Sequence, residues 1–346
     1  MNLFLFVAGV FIMSLAVYDL LYTTFSPHGA GPLSGKITTF IWGIFFKVSQ
    51  KLHNRNFLNA AGICIVCGVL INWVLFVWIG NALVFASYPG AVVNSVTSEA
   101  ATYKEVIYYT GYILSTMGNG DFVASTGGWK IYSAIISFSG LILITIAVTY
   151  MVPVLSAITE RRTLSILIAS LGSSAQSILL NHWKNGNFRM LELPLSQITA
   201  DIARQGQLQL SYPVLHYFHN SEKLTALLPN LAELDEALSI MLIYIPEHLH
   251  PQPQYLVPAR KAISSFLDTL TNTFLDPAEE ISAPLPVDEL RKSGIPTLTP
   301  LQERLAQLDK RRKILKSMLL NDGWSLEDLN KPVFRPDLDL PEMLSE

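Results

Sequence analysis

The chain has 346 residues, of which 50% are hydrophobic and 15% are charged, and its formal net charge is −3. Soluble domains carry about 25% charged residues, so this composition argues against an ordinary soluble protein. Residues 1–158 contain six basic and four acidic side chains, whereas residues 159–346 contain 18 and 23. The first half is therefore predicted to lie in a membrane, and the second half to form a mildly acidic soluble domain.

Three apolar segments are long enough to cross a bilayer: 2–23, 57–87 and 129–158. Basic residues lie between the first two segments and directly after the third. By the positive-inside rule these basic stretches are cytoplasmic, so the N-terminus and residues 88–128 are expected outside. Segment 163–183 has no charged residue but contains several serines, so it is a helix buried in the cytoplasmic domain, a helix at the membrane interface or a fourth span.

A short motif, Thr-Met-Gly-Asn-Gly-Asp at 116–121, lies between the second and third spans. Residues 103–115 precede it and are too short to span, so they are predicted to form a re-entrant pore helix. Glycines 118 and 120 allow backbone torsions that turn successive carbonyl oxygens towards one axis. Irregular backbone at membrane depth is tolerated where it lines a water-filled path or is buried in protein, so the motif predicts an ion filter.

The motif resembles the pore signature of the potassium-channel superfamily, an aromatic pair followed by Thr-Val-Gly-Tyr-Gly-Asp. Here the pair is Tyr108-Tyr109, and Tyr112 follows on the same pore helix. The resemblance covers about 57–158 and implies a homotetramer that conducts potassium through oxygens of Thr116, Met117, Gly118, Asn119 and Gly120. Two positions depart from the family pattern, since Met117 replaces Val and Asn119 replaces Tyr. Relaxed selectivity for potassium over sodium is therefore an open possibility.

Residues near the motif and on the inner helix are candidates for the outer mouth and the gate. Asp121 and Glu105 are expected near the outer mouth, where rings of acidic side chains in a tetramer concentrate cations, although Glu105 is equally compatible with a solvated loop charge. Gly140 is either a gate residue or a packing residue of the inner helix, and Pro153, the second gate candidate, either kinks this helix or marks its end. Thr145 and Thr149 share one helix face, which lines the cavity or bonds back to helix carbonyls.

The soluble part is predicted to be helical: a domain at 159–275, a Pro-rich linker at 276–300, an amphipathic helix at 301–330 and a disordered tail at 331–346. Leucines at four-three spacing in the amphipathic helix indicate either a coiled coil or docking on the domain. His216, His219, His248 and His250 form two clusters that are compatible with a metal site, but aromatic core and surface roles explain them more simply.

The sequence thus predicts an all-α membrane protein with three transmembrane helices, a re-entrant pore helix and an α-helical cytoplasmic domain, assembled as a homotetramer. Residues 1–56 are assigned to the first span and a basic cytoplasmic linker. The predicted function is a potassium-permeant cation channel of a bacterial inner membrane, not an enzyme. It needs no cofactor, and its expected partners are its own copies, lipids, monovalent cations and an unknown cytoplasmic ligand or protein, but not nucleic acid. The alternative is a non-conducting membrane-anchored sensor or scaffold that retains the pore-like module.

Overall fold

The structure, a computed structural model, describes residues 1–26, 29–52, 54–273, 285–299 and 302–324. It is nearly all-α, with one small antiparallel sheet. The tail predicted at 331–346 lies outside these residues. The helices are α1 (Leu3–Phe25), α2 (Pro32–Leu52), α3 (Ala61–Ala86), α4 (Tyr103–Leu114), α5 (Gly127–Ala169), α6 (Ala175–Asn181), α7 (Glu192–Ser211), α8 (Leu227–Tyr244), α9 (Pro253–Thr273), α10 (Asp288–Lys292) and α11 (Gln302–Asn321); the strands are β1 (Val92–Asn94) and β2 (Phe122–Ala124).

Three helical segments of the described chain are long and apolar enough to cross a membrane. They are Leu3–Phe25, Arg55–Ala86 and Gly127–Ala169, and the second includes a short 3-10 helix at Arg55–Ala60 that leads into α3. The predicted all-α membrane fold with three spans is therefore confirmed. The chain divides into two units, the first formed by Met1–Ile44, Gly62–Leu155 and Ser211–Val214. The second contains the described residues of Phe45–Ala61, Ser156–Leu210 and Leu215–Glu346.

In the first unit, α1 and α3 share a buried polar contact. The Asp19 side chain of α1 is fully buried, and its Oδ2 accepts a hydrogen bond of 2.8 Å from Trp73 Nε1 of α3. Asp19 Oδ1 also accepts from the backbone N–H groups of Leu33 at 2.7 Å and Ser34 at 3.1 Å, in the first turn of α2. A carboxylate at a helix N-terminus satisfies amides that have no partner inside the helix. Asp19 is therefore shielded from water by these contacts.

The stretch predicted as a basic linker within 1–56 contains a 21-residue helix, α2. Its pattern mixes lysines with apolar residues, and its first helical residue is Pro32, which is favoured there because the missing N–H has no partner to lose. The inner helix also differs from the predicted 129–158, because α5 continues without a break to Ala169. Consequently segment 163–183 is not one helix: it contains the end of α5, a turn and the short helix α6.

The second unit is built around α8, whose residues are almost all buried. Helices α6, α9 and α11 pack against it, and the core also takes in Leu285, Val287, Leu290 and Ile295. The described part of the predicted Pro-rich linker, 285–299, is therefore packed against this core and contains α10. Helix α11 buries Leu315 and Leu319 against this core, which favours docking over a coiled coil.

Candidate ion filter

Helix α4 begins with a capping box that fixes its start. The Glu105 carboxylate accepts hydrogen bonds from the Thr102 backbone N–H at 2.7 Å and from the Thr102 hydroxyl at 2.8 Å. These bonds lower the pKa of Glu105 below its usual value, because they favour the charged form. Glu105 therefore caps α4, and its place near the outer mouth stays a prediction.

The backbone after α4 has an alternating conformation. Thr116, Gly118 and Gly120 have φ angles of +61°, +61° and +81°, whereas Met117 and Asn119 between them do not have positive φ. The start of the segment is tied to α4, because Thr116 N–H donates to Ile113 O at 2.9 Å and Met117 N–H donates to Tyr112 O at 2.8 Å. When left-handed and ordinary residues alternate, successive carbonyl groups can point to the same side of the chain. This is the arrangement that a row of carbonyl ligands requires.

Asn119 is held by the pore helix. Its side-chain amide Nδ2 donates a hydrogen bond of 2.6 Å to the Tyr108 hydroxyl, and both residues are exposed in the single chain. The Tyr108 ring packs edge-on against the ring of Tyr112, with centroids 5.2 Å apart. The Tyr112 hydroxyl in turn donates to the carbonyl of Phe122, just beyond the motif. Two tyrosines thus connect α4 to Asn119 within the motif and to Phe122 just beyond it.

Tyr109, the second member of the aromatic pair, points in another direction. Its hydroxyl lies 2.7 Å from Ser133 Oγ of α5, and its ring packs edge-on against Phe85 of α3 at 5.2 Å. It is buried, so it joins the three helices of the pore region to one another. The two tyrosines of the aromatic pair therefore make different contacts: Tyr108 contacts the motif, and Tyr109 contacts the surrounding helices.

The small sheet holds the segment that follows the motif. Strand β2 pairs with β1 in antiparallel register, with Asn94 opposite Phe122 and Val92 opposite Ala124. Ser95 N–H donates to the carbonyl of Asp121 at 2.9 Å, which extends the pairing by one residue towards the motif. The Asp121 residue is exposed. Its backbone is therefore fixed while its carboxylate remains available to solvent.

A family profile described as "Ion channel" matches residues 68–157, which run from α3 through α4 and the motif into α5. The chain is also 30% identical over 316 residues to the uncharacterized membrane protein YdjJ of Bacillus subtilis strain 168, which covers 90% of this chain and 92% of that protein. The chain belongs to this membrane protein family and contains an ion channel domain. The predicted resemblance to the potassium-channel superfamily is thereby confirmed. No solved structure matches the chain.

Within the ion channel domain, Gly140 of α5 lies against the end of the pore helix. A Cβ atom built on Gly140 would be 1.9 Å from the carbonyl oxygen of Leu114. No other residue fits at this distance, so α5 and α4 approach more closely than any side chain permits. The contact favours the packing interpretation of Gly140, and a role in gating stays a prediction.

Two further features of α5 concern alternatives that the sequence left open. Pro153 is inside the helix, which continues for 16 residues beyond it to Ala169, so the proline does not mark the helix end. The hydroxyls of Thr145 and Thr149 each donate at 2.9 Å to a carbonyl four residues earlier, those of Leu141 and Thr145. Both threonines are also exposed in the single chain, so their face of α5 remains open to other contacts.

Several supporting residues were not found from the sequence. Trp78 of α3 donates from Nε1 to the Ile107 carbonyl of the pore helix at 2.9 Å, and Tyr132 donates to Asn81 Oδ1 at 2.7 Å. Trp78 and Asn81 lie far from the motif in sequence, and neither they nor Tyr132 and Ser133 have a distinctive spacing. Within the ranges that the structure describes, no group of three or more His, Cys, Asp or Glu side chains is arranged to hold a metal ion. His216 and His219 are buried in the second unit.

Proposed function

We propose that this protein is a homotetrameric cation channel permeable to potassium, with the carbonyls of residues 116–120 as its filter. The supporting observation is the alternation of positive φ at Thr116, Gly118 and Gly120 directly after a pore helix. Such a row of carbonyl oxygens replaces the hydration shell of a monovalent cation, and potassium is the permeant species rather than a resident cofactor. The Thr116 hydroxyl adds a further oxygen at the inner end.

The tether between Asn119 and Tyr108 supports selectivity for potassium over sodium. The superfamily pattern has a tyrosine at the position of Asn119, and its ring holds the filter width. In this chain the hydrogen bond of 2.6 Å from Asn119 to Tyr108 holds the filter width with a smaller side chain. Met117, at the other unusual position, is 65% exposed in the single chain. Its packing therefore depends on neighbouring copies.

Assembly as a tetramer is supported by the motif residues and the apolar cavity that stay exposed in a single chain. Residues 115–121 are all exposed, and a cavity of about 450 Å³ beside them is lined by side chains that include Tyr108, Met117 and Ile144. One pore loop cannot enclose a path for ions, whereas four copies around an axis can. The apolar lining also suits burial against a neighbouring copy of the chain, because an exposed apolar patch of this kind marks an interaction surface.

The proposed orientation places the second unit in the cytoplasm of a bacterial cell and the motif towards the outside. Arg161 and Arg162 follow the apolar part of α5, and the lysines of α2 lie between the first two spans. Asp121 then faces the outer solution, where a ring of four carboxylates raises the local cation concentration. We assign gating to the cytoplasmic half of α5, which Pro153 weakens by removing one backbone hydrogen bond, under control of a ligand or protein that binds the second unit.

The experiment is ion flux into liposomes that contain the purified full-length protein, measured for potassium and for sodium. The decisive variant is Gly118→Ala, because its φ of +61° is strained for any residue with a Cβ. The matched control is Gly90→Ala, which has a φ of +83° and equally open surroundings but lies outside the motif. We expect potassium flux in the wild type and in the control, and loss of flux in Gly118→Ala.

Flux that survives Gly118→Ala unchanged would contradict the proposed filter. Absence of flux from verified wild-type tetramers, with or without cytoplasmic extract, would favour the non-conducting sensor or scaffold. A mass measurement of the detergent-solubilised protein separately tests the tetramer. The ion channel family favours conduction over catalysis, so no enzymatic activity is proposed.

A further inference from the structure

The basic residues between the first two spans lie on one helix without acidic neighbours. Helix α2 contains Lys36, Lys47 and Lys51, and the sequence has no Asp or Glu between Asp19 and Glu99. Asp19 itself is fully buried and accepts hydrogen bonds from its own neighbours, so its carboxylate does not neutralise the lysines. The ionised side chains of residues 20–98 are therefore all basic.

The lysines share one side of α2 with two apolar residues. Lys36, Phe40, Ile44, Lys47 and Lys51 are exposed and follow one another at intervals of four, four, three and four residues. Because α2 is one continuous helix, this spacing places them in a single stripe along its length. Phe40 is 70% exposed and Ile44 is 47% exposed. We name these five residues the α2 stripe.

The side of α2 next to the stripe is occupied by its own protein. A Cβ atom built on Gly68 of α3 would be 2.6 Å from Ile41 Cδ1 and 3.7 Å from Ile37 Cγ2, so both isoleucines face α3. The stripe is therefore an exposed side of a helix that packs on α3 through the neighbouring side. It is not a face that α3 covers.

The start of α2 is held at the end of the first span. Leu33 and Ser34, in its first turn, donate their N–H groups to Asp19, which lies six residues before the end of α1 at Phe25. Six helical residues correspond to about 9 Å, so α2 starts about that far inside the end of the span. The stripe consequently begins near the boundary between hydrocarbon and headgroups.

We propose that the α2 stripe binds anionic phospholipid headgroups of the leaflet at which α1 ends. Phe40 and Ile44 contact acyl chains, and the ammonium groups on either side reach the lipid phosphates, since long lysine side chains extend from a buried stem to a polar boundary. Lys36 and Lys51 are 15 residues apart, about 22 Å along the axis, which is enough for more than one headgroup. Apolar and anionic surfaces meet in this way at a bilayer boundary, so a lipid fits the stripe better than a nucleic acid or an acidic protein.

The test measures lipid binding to the full-length protein in detergent, and it does not depend on ion conduction. Phosphatidylglycerol and phosphatidylcholine are titrated separately into the micelles, and bound lipid is counted by native mass spectrometry. The variant is the triple substitution Lys36→Gln, Lys47→Gln and Lys51→Gln. The matched control is Lys184→Gln, Lys261→Gln and Lys292→Gln, which removes three exposed lysines that lie outside α2.

We expect the wild type to prefer phosphatidylglycerol and the α2 triple variant to lose this preference. At about 1 kcal/mol for each lysine, the apparent affinity falls on the order of a hundredfold. The control variant keeps the preference, and a Lys→Arg triple variant of α2 restores it, which shows that a correctly folded helix with the same charge is sufficient.

Three results would overturn the proposal. One is a wild type that binds both lipids equally, and another is an α2 triple variant that keeps its preference for phosphatidylglycerol. The third is a control variant that loses as much as the α2 variant, because binding would then follow total charge rather than the stripe. Since the readout is bound lipid, none of these results is confused with a failure of the channel itself.

Discussion

The side-chain amide of Asn119 donates a hydrogen bond of 2.6 Å to the hydroxyl of Tyr108, eleven residues earlier in the chain. This bond joins the upper part of the proposed filter to the pore helix. It gives a physical reason why Asn is compatible with a narrow filter at a position where the potassium-channel pattern has Tyr. It also makes the selectivity of the channel dependent on one hydroxyl group.

Removing that hydroxyl is expected to loosen the filter. In Tyr108→Phe the Asn119 amide loses its acceptor, and a typical hydrogen bond contributes about 0.5–1.5 kcal/mol, so the potassium-to-sodium permeability ratio should fall by about two- to tenfold. Bi-ionic reversal potentials measure this ratio. The control is Tyr103→Phe, which removes the hydroxyl of an exposed tyrosine at the start of the same helix. An unchanged ratio in Tyr108→Phe would show that the bond does not set filter width.

The close approach at Gly140 predicts a stability defect. A methyl group there meets the Leu114 carbonyl oxygen at 1.9 Å, so Gly140→Ala forces α5 and α4 apart. Overpacking of this kind costs about 1–3 kcal/mol, and the thermal unfolding midpoint of the protein in detergent should fall. Gly128→Ala, in the first turn of the same helix with open surroundings, should leave the midpoint within experimental error. Altered gating at unchanged stability would instead support the hinge reading of Gly140.

A buried carboxylate holds three helices of the second unit together. Asp235 of α8 is 1% exposed, and its carboxylate accepts from Arg260 Nη1 of α9 at 2.7 Å and from Arg311 Nε of α11 at 2.8 Å. Removing one partner of a buried pair leaves uncompensated charge, so Asp235→Ala should destabilise the protein by about 3–5 kcal/mol.

Intrinsic fluorescence during denaturant unfolding of the full-length protein in detergent measures this loss. The control is Arg204→Gln at an exposed ion pair with Glu160, where the expected loss is below about 1 kcal/mol. Equal losses in the two variants would mean that the Asp235 cluster contributes no more than a surface pair.

Two buried groups of the second unit give opposing pH dependence. Burial raises the pKa of Glu233 to about 7, although Lys223 and the backbone N–H of Ala175 both stabilise its charge. The folded state therefore holds a proton that the unfolded state, with a pKa near 4.5, releases. Stability from Glu233 consequently decreases as pH rises from about 4.5 to about 7.

His216 acts in the other direction. Burial lowers its pKa to about 4, and the nearby Arg161 lowers it further, while Asp322 partly compensates. The unfolded state, with a pKa near 6.5, binds a proton that the folded state does not. Stability from His216 therefore increases as pH rises from about 4 to about 6.5.

The two contributions largely cancel in the wild type between pH 4.5 and 6.5, and single variants should separate them. Relative to the wild type, the free energy of unfolding of Glu233→Gln should rise with pH through this range, and that of His216→Gln should fall. Each slope should integrate to on the order of 3 kcal/mol, since one unit of pKa difference corresponds to about 1.4 kcal/mol. Unfolding midpoints measured across this pH range test both signs. The same slope in both variants would contradict the assignment.

The sequence by itself determined the three spans, the helical character of the second half and the likeness of residues 116–121 to a channel filter. These features depend on local properties: apolar length, the conformational freedom of glycine, and an aromatic pair at fixed spacing. Tertiary structure alone decided the partners of individual side chains. Asp19, for example, binds Trp73 and the first turn of α2. Gly140 and Asn119 acquire their roles from atoms of α4 that folding brings within contact distance. Periodicity specifies which face of a helix is apolar, whereas the partner that meets a polar group depends on how separate helices pack.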